Sequence, residues 1–217
     1  AVKKFLENNH KVLNIDKITY AGNNKRLLSI KNNKNYKFLK KDILDKKIYK
    51  DFFKFKPDIV INFAAETHVD NSIKTPSYFM NTNFNGVYNL LNASMIYLNK
   101  YKNKKFFFFQ ISTDEVFGSI KKKSFDEKSP YLPNSPYSAS KASADLLVRS
   151  WNKTYKLPFN ISYCTNNYGP YQDKEKFIPK IILNSLNRKK IPLYGTGKNI
   201  RDWIYVEDNI EAVYLIC

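Results

Sequence analysis

Pro57 introduces Asp58-Ile59-Val60-Ile61-Asn62-Phe63, and this stretch decides the fold class. A continuous apolar run with no alternating polar face suits a strand covered on both sides, as in a parallel sheet. Phe106 to Ile111 repeats the pattern, and Phe159-Asn160-Ile161-Ser162-Tyr163-Cys164 gives another strand. The spacing predicts a long helix over Tyr78 to Tyr97 and a second over Pro136 to Trp151. Upstream, Val2, Phe5 and Leu6 have helical spacing closed by Asn8-Asn9. Lys11 to Asp16 alternates like a strand ending on an acid, and Thr19 to Asn23 reads as a loop. Tyr36 to Leu39 is a short strand ending near Asp42, and Ile43 to Phe55 reads as a helix. Strands alternating with helices predict an α/β chain with a doubly wound parallel sheet. Prolines and glycines become more frequent after about Asn166, so the expected division is 1–165 and 166–217.

The chain has 217 residues, 43% of them hydrophobic, which is enough for a core and excludes a wholly disordered polymer. Lys+Arg is 37 against Asp+Glu 19, a formal net charge of +18. Such a balance admits a basic nucleic-acid-binding module, since lysines that neutralise phosphates release counterions. The lysines are scattered, however, from Lys3 and Lys25 to Lys153 and Lys189, and the dense run Lys121 to Lys123 reads as a loop. The abundance of Asn, Ile, Phe and Tyr points to compositional drift, and net charge speaks to solubility rather than fold. Neither nucleic acid nor a membrane is therefore an expected partner. The densest apolar run, Phe106 to Phe109, is far short of the ~20 residues that span a bilayer. Cys164 and Cys217 form neither a disulfide framework nor a CxxC metal pattern, which fits a reducing, cytoplasmic setting without a metal.

Three places carry candidate chemistry. Asp16, at the end of a second strand, suits the ribose hydroxyls of a dinucleotide and would repel a 2′-phosphate; a helix or turn cap explains the same residue. Tyr137 and Lys141 lie at i and i+4 on one helix face. A nearby ammonium and a cationic nicotinamide would favour the Tyr137 phenolate as a base, although an amphipathic surface pair gives the same spacing. Thr113-Asp114-Glu115 follows a buried strand, where open α/β sheets place ligands. Adjacent acids with different environments can divide into an acid and a base; capping by Thr113 or Asp114 is the structural alternative.

Asp16-Lys17-x-Thr19-Tyr20-Ala21-Gly22-Asn23, Phe63-Ala64-Ala65-Glu66-Thr67-His68-Val69-Asp70, Ser112-Thr113-Asp114-Glu115-Val116, Ser135-Pro136-Tyr137-Ser138-Ala139-Ser140-Lys141, Asn166-Asn167-Tyr168-Gly169-Pro170 and Arg201-Asp202-Trp203-x-Tyr205-Val206-x-Asp208 occur in that order. Together they resemble the dTDP-glucose 4,6-dehydratases, extended short-chain dehydrogenases/reductases with a Rossmann-like doubly wound sheet and a smaller C-terminal substrate domain. The resemblance implies a lyase with internally recycled NAD, supplying deoxysugars for polysaccharide synthesis. Tyr137 would take the C4 hydroxyl proton, with Lys141 beside it. Thr113 would bind the C4 oxygen, Glu115 would remove the C5 proton, and Asp114 would protonate the departing C6 hydroxyl. It also implies an NAD site of Asp16, Lys17, Ile18, Thr19, Asp42, Ile43, Phe63, Ala64, Ala65, Glu66, Thr67, Thr82, Tyr137, Lys141 and Asn167. The nucleotide sugar would meet Thr67, Thr113, Asn166, Lys176, Phe177, Pro192, Leu193, Tyr194 and Arg201, whose planar fork suits a diphosphate. A homodimer is implied as well. Related 4-epimerases, decarboxylases and GDP-sugar dehydratases share the fold.

Other residues read plainly. His68 lacks partners at ligand spacing and reads as packing. Gly195-Thr196-Gly197-Lys198 lacks the first glycine of a phosphate loop and reads as a turn. Tyr78, Phe79, Tyr88 and Leu91 read as helix packing, in the core or at a dimer contact. Phe117 stands where the resembled family usually shows Tyr, and Thr67 where Ser is common. The chain opens at Ala1, where a glycine-rich loop would just have ended, and closes inside an apolar run at Cys217. The expectation is a cofactor domain lacking its first strand, joined to the start of a substrate domain, with weak NAD binding by this stretch alone.

Overall fold

The computed structural model of the chain describes residues 1–102, 105–120, 124–193 and 195–217. The expected loop at Lys121 to Lys123 and the candidate Tyr194 lie outside the described residues. In chain order, α1 (Val2–Glu7), β1 (Val12–Asp16) and a 3-10 segment (Asn24–Ile30) precede β2 (Tyr36–Lys40), α2 (Tyr49–Phe55) and β3 (Ile59–Asn62). Next come α3 (Val69–Lys74), α4 (Pro76–Phe79), a π-helical segment (Met80–Asn85), α5 (Gly86–Tyr101) and β4 (Phe107–Thr113). A 3-10 turn (Asp114–Phe117) leads to α6 (Pro136–Tyr155) and β5 (Phe159–Cys164). The remainder is β6 (Asn166–Tyr168), α7 (Phe177–Leu186), β7 (Trp203–Tyr205) and α8 (Val206–Ile216). Residues Leu13–Lys17 and Lys37–Cys164 form one packing unit; Ala1–Val12, Ile18–Tyr36 and Thr165–Cys217 form another.

In the larger unit β4 lies between β3 and β5 and runs parallel to both, with Ile61 opposite Phe109 and Ile111 opposite Ser162. Phe108, Phe109 and Gln110 are wholly buried, as a strand flanked on both edges and covered on its faces requires. Asn62 Nδ2 donates to Gln110 Oε1 at 3.0 Å, which places a buried amide contact between β3 and β4. The strands β1 and β2 pair as a separate two-stranded sheet. Val87, Leu90 and Leu91 of α5, Ala144 and Val148 of α6, Ile48, Phe52 and Phe108 form the core. Each large side chain buried there contributes about 1.5–3 kcal/mol. The parallel arrangement with helical crossovers is the α/β, Rossmann-like class read from the sequence.

The helix α6 starts on a capping box: Ser135 Oγ accepts from Ser138 N–H at 3.1 Å, and Ser138 Oγ accepts from Ser135 N–H at 3.0 Å. Pro136 occupies the first turn, and Lys156 ends the helix in the left-handed region at φ 60°. This helix therefore outlasts the expected end at Trp151. The helix expected from Ile43 starts instead at Tyr49. Asp42 and Asp45 accept from the Leu44 and Lys47 N–H groups at 2.9 and 2.8 Å, so side-chain turns replace the first helical turns. The helix expected over Tyr78 to Tyr97 is interrupted by the wider π turn, which contains buried Thr82 and Asn83. Such turns frequently occur at functional sites.

The smaller unit pairs β6 with β7 in parallel, Asn166 opposite Trp203. Its α1 and α8 meet through a Lys4–Glu211 ion pair and a Phe5–Tyr214 edge contact at 5.3 Å. Arg26 reaches Asp173 at 3.7 Å. Gly195 and Gly197 are in a turn, both at positive φ.

Gly118 fixes the chain just past β4. Its φ is +88°, and a Cβ there would lie 2.3 Å from the Leu132 carbonyl oxygen, while Leu132 N–H donates to Val116 O at 3.0 Å. Gly118→Ala is predicted to cost about 2 kcal/mol or more. Urea unfolding measures it, and an unchanged midpoint would refute this account of the turn.

Candidate active site

The site grows from the carboxyl end of β4. Thr113 caps the following 3-10 turn: its Oγ1 accepts from Glu115 N–H at 3.3 Å and donates to Asp114 Oδ1 at 3.2 Å. Val116 and Phe117 anchor that turn by burial, and Asp114 and Glu115 remain half-buried. Thr113 thus performs the capping role weighed from the sequence, while the two acids stay accessible. Phe117 packs against the rings of Phe125, Tyr131 and Tyr163 at 5.5, 5.6 and 4.9 Å. Its position is one of aromatic packing.

Tyr137 lies in the first turn of α6. Its N–H donates to Ser72 Oγ at 3.2 Å and its ring meets Phe79 edge-on at 6.5 Å. A hydrogen bond joins its phenol to Thr113, and the Glu115 and Asp114 carboxylates act on it. Burial, then the Glu115 charge, push the phenol well above its ordinary range; the Thr113 bond opposes them more weakly. The sequence expectation of a base near neutrality invokes a cationic nicotinamide as well as an ammonium; the protein groups around the phenol by themselves favour its protonated form. Lys141, the favourable charge expected beside it, is itself buried, and burial lowers its pKa. Its Nζ donates to Ile111 O at 2.6 Å. Thr113, Asp114, Glu115 and Tyr137 are therefore gathered at one place, with Lys141 one turn along α6.

The loop after β3 is held by two asparagines. Asn62 Oδ1 accepts from Ala64 N–H at 3.1 Å. Asn83 Oδ1 accepts from Glu66 N–H at 2.8 Å, and its Nδ2 donates to Glu66 O and Ser140 Oγ at 3.0 and 2.9 Å. Ser140 Oγ in turn donates to Tyr137 O at 2.6 Å. One network thus links the loop Phe63 to Thr67 with the Tyr137 turn. Phe63 is 43% exposed and Thr67 is exposed, whereas Glu66 is buried. Thr82 Oγ1 is buried and has no hydrogen-bond partner.

At the end of β1, Asp16 is exposed. Lys17 Nζ lies 3.1 Å from Asp42 and 5.1 Å from the Tyr78 ring centre. Burial alone would lower its pKa, but bonds with Asp42 and Tyr78 outweigh it and keep the ammonium charged. The Ile43 side chain is in the core, close to Gly86, and its carbonyl accepts from Asn89 Nδ2 at 2.6 Å.

The remaining candidates belong to the smaller unit. Ile18 is at φ 55° and Thr19 O accepts from Gly22 N–H at 2.9 Å. Asn166 Nδ2 donates to Asp202 O at 3.3 Å, and Asn167 Oδ1 accepts from Asn209 Nδ2 at 2.9 Å. Lys176 caps α7, and Phe177 stacks on Trp203 at 6.2 Å. Pro192 and Leu193 lie in a loop, and exposed Arg201 donates to Ile200 O at 2.7 Å.

Sequence reasoning did not select Asn83, Ser72, Ser112 or Asp145. Each is a polar residue buried in an element interior, and Asp145 follows Lys141 by one helical turn. That spacing was the available signal for Asp145; no local pattern marks Asn83. Among the described residues no cluster of His, Cys, Asp or Glu could hold a metal ion.

A parallel sheet with helical crossovers, ending in an acid pair beside a YxxxK helix, defines an extended short-chain dehydrogenase/reductase type of α/β chain. The family model described as GDP-mannose 4,6 dehydratase matches residues 1–217, and the chain belongs to this family. A Haemophilus influenzae protein named dTDP-glucose 4,6-dehydratase is 47% identical over 94% of this chain and 62% of its own length. The crystal structure of DesIV, a dTDP-glucose 4,6-dehydratase from Streptomyces venezuelae with NAD and TYD bound, matches with a TM-score of 0.92 and 38% identity. A Bacillus anthracis dTDP-glucose 4,6-dehydratase in complex with NAD matches with a TM-score of 0.87 and 40% identity. Each solved match covers 99% of this chain and 66% of the other. The chain thus spans somewhat less than two thirds of these relatives.

Asp145 offers a direct test of burial in this unit. It is fully buried, and desolvation pushes its carboxyl up to about 6, against opposing effects of Ser112, Lys141 and Arg149. Folding therefore favours its protonated form, and its stabilising contribution is lost as pH rises from about 4 through about 6. Asp145→Asn is predicted to flatten that part of the stability curve by about 3 kcal/mol in urea titrations. Parallel curves for the two proteins would contradict the assignment.

Proposed function

We propose that the whole protein dehydrates dTDP-glucose to dTDP-4-dehydro-6-deoxyglucose with internally recycled NAD, for deoxysugar synthesis. The observation that carries this reading is the Asp114-Glu115 pair beside Thr113 and Tyr137 at the end of β4. Hydroxide leaves poorly without an acid, and a carbon-bound proton needs a base, so two adjacent carboxyl groups match the reaction's demand.

The chain's residues fit the cofactor. Thr82 presents a buried hydroxyl without a partner, and Asp16 an exposed carboxylate at a strand end suited to ribose hydroxyls. Asp16 to Thr19, Asp42, Ile43, Phe63 to Thr67, Thr82, Tyr137, Lys141 and Asn167 would hold it. Held by these residues, NAD would supply a hydride acceptor that is regenerated within the same turnover, so no external oxidant or reductant would be consumed.

Tyr137 receives the C4 hydroxyl proton, and Thr113 hydrogen-bonds the C4 oxygen. Tyr137's raised pKa keeps its phenol protonated until a positive charge offsets burial and Glu115. The C4 ketone acidifies the C5 hydrogen, which Glu115 removes as base. Asp114 protonates the C6 hydroxyl, which leaves as water. Thr67, Asn166, Lys176, Phe177, Pro192 to Tyr194 and Arg201 bind the nucleotide sugar, Arg201 at the diphosphate. Residues 1–165 then serve the cofactor, and 166–217 begin the nucleotide-sugar part. The same reading places a homodimer in the cytoplasm. Exposed Tyr88 on α5 and Leu146 on α6 support a helix-mediated pairing, and two free cysteines a reducing compartment. Among the described residues no helix is long and apolar enough to cross a membrane.

The whole protein is predicted to convert dTDP-glucose with no net NADH, and Glu115→Gln to lower kcat by about a hundredfold or more. Product analysis by mass spectrometry measures both. Undiminished turnover by that variant would remove Glu115 from the reaction, and turnover of GDP-mannose in preference to dTDP-glucose would overturn the substrate.

A further inference from the structure

The turn that carries Asp114 and Glu115 is held by a strap of chain, residues 124–134, that runs on into α6. Leu132 N–H donates to Val116 O at 3.0 Å, which ties the strap to the backbone next to Glu115. Asn134 Nδ2 donates to Ser119 Oγ at 3.0 Å, just past Gly118. Asn134 directly precedes Ser135, the cap of α6, so the strap passes from the acid turn to the turn of Tyr137.

Rings fill the space between strap and sheet. Phe117, the last residue of the acid turn, is buried against Phe125 and Tyr131 of the strap and Tyr163 of β5. Ring pairs accept a range of offsets and tilts, so this packing alone does not set where the strap lies. A hydrogen bond does. Tyr131 Oη and Tyr163 Oη are 2.6 Å apart and half-buried, and Arg149 Nη2 of α6 donates to the same Tyr163 oxygen at 3.1 Å. Tyr163 stands opposite Ser112 in the β4–β5 register, and Ser112 directly precedes Thr113. The strap is therefore pinned to the stretch of sheet from which the acids emerge. Tyr137 has its own supports: the capping box, Ser72 and Phe79. Loosening the strap thus displaces the acids relative to Tyr137.

We propose that Tyr131 is a positioning residue for the dehydration stage: its hydroxyl, bonded to Tyr163, fixes the strap that holds Asp114 and Glu115 where water is removed, while oxidation at C4 depends on the separately supported Tyr137. The inference rests on the roles of Asp114, Glu115 and Tyr137 proposed above. Removing the C5 proton and protonating the C6 hydroxyl both need a carboxyl group within hydrogen-bonding reach, and misplacement by about 1 Å can cost about a hundredfold in rate.

The test is a single turnover of dTDP-glucose by the holoenzyme, quenched rapidly and read by mass spectrometry, which separates the 4-keto sugar from the dehydrated product. Tyr131→Phe keeps the ring that packs on Phe117 and removes only the hydroxyl. It is expected to form the 4-keto sugar at an unchanged rate and to lose water from it about tenfold more slowly, with KM unchanged. Tyr163→Phe removes the same bond from the other side and is expected to behave likewise; it carries the test if Tyr131→Phe does not fold. The double variant is expected to be no slower than Tyr163→Phe, because one bond joins the two hydroxyls. Water loss at the unmodified rate in these variants, equal slowing of both stages, or multiplied effects in the double variant overturn the role of Tyr131 alone, provided that Glu115→Gln blocks water loss. Undiminished water loss in Glu115→Gln overturns the underlying reading and the inference with it.

Discussion

Strand β4 is confined between two parallel neighbours, and the other features of the site follow from that confinement. Its phenylalanines leave no solvent-facing alternative, and its pairing with β3 and β5 fixes where it stops. The stop is Thr113, whose hydroxyl turns the chain into the 3-10 segment carrying Asp114 and Glu115. A shift of one residue along β3 and β5 would move the Thr113 turn, and with it Asp114 and Glu115, along the sheet edge, so register and chemistry are fixed together.

Helix α6 is then fitted to that strand. Its capping box and Pro136 determine where it starts, which places Tyr137 in the first turn and Lys141 in the second. Buried polar contacts align the two elements: Lys141 with Ile111 and Asp145 with Ser112. Asn83 extends the arrangement to the loop after β3. These polar contacts add little net stability individually, but leaving one unpaired is costly, and this makes the arrangement specific. The raised pKa of Tyr137 shows the consequence: the apolar surroundings that position the phenol also keep it protonated.

The sheet, α6 and the Thr113-Asp114-Glu115 and Tyr137-Lys141 groups were legible in the sequence, because continuous apolar runs and i,i+4 spacing are local signals. Helix α2 was misjudged at its start, since Asp42 and Asp45 use side-chain turns that resemble a first helical turn in sequence. The π segment was not legible, because it depends on buried Asn83 meeting Glu66 and Ser140 from distant parts of the chain. The upward shift of Tyr137 was missed for a similar reason. Spacing revealed Lys141, while the depth of burial and the approach of Glu115 required the packed unit.

The central claim is that one sugar is oxidised, dehydrated and reduced without leaving the place where Thr113, Asp114, Glu115 and Tyr137 meet. Substrate deuterated at C4 tests it directly, with the position of the label in the product read by NMR. The account predicts the deuterium at C6 of the same molecule, with solvent hydrogen at C5. Loss of the label to solvent, or its transfer between labelled and unlabelled molecules, would contradict it.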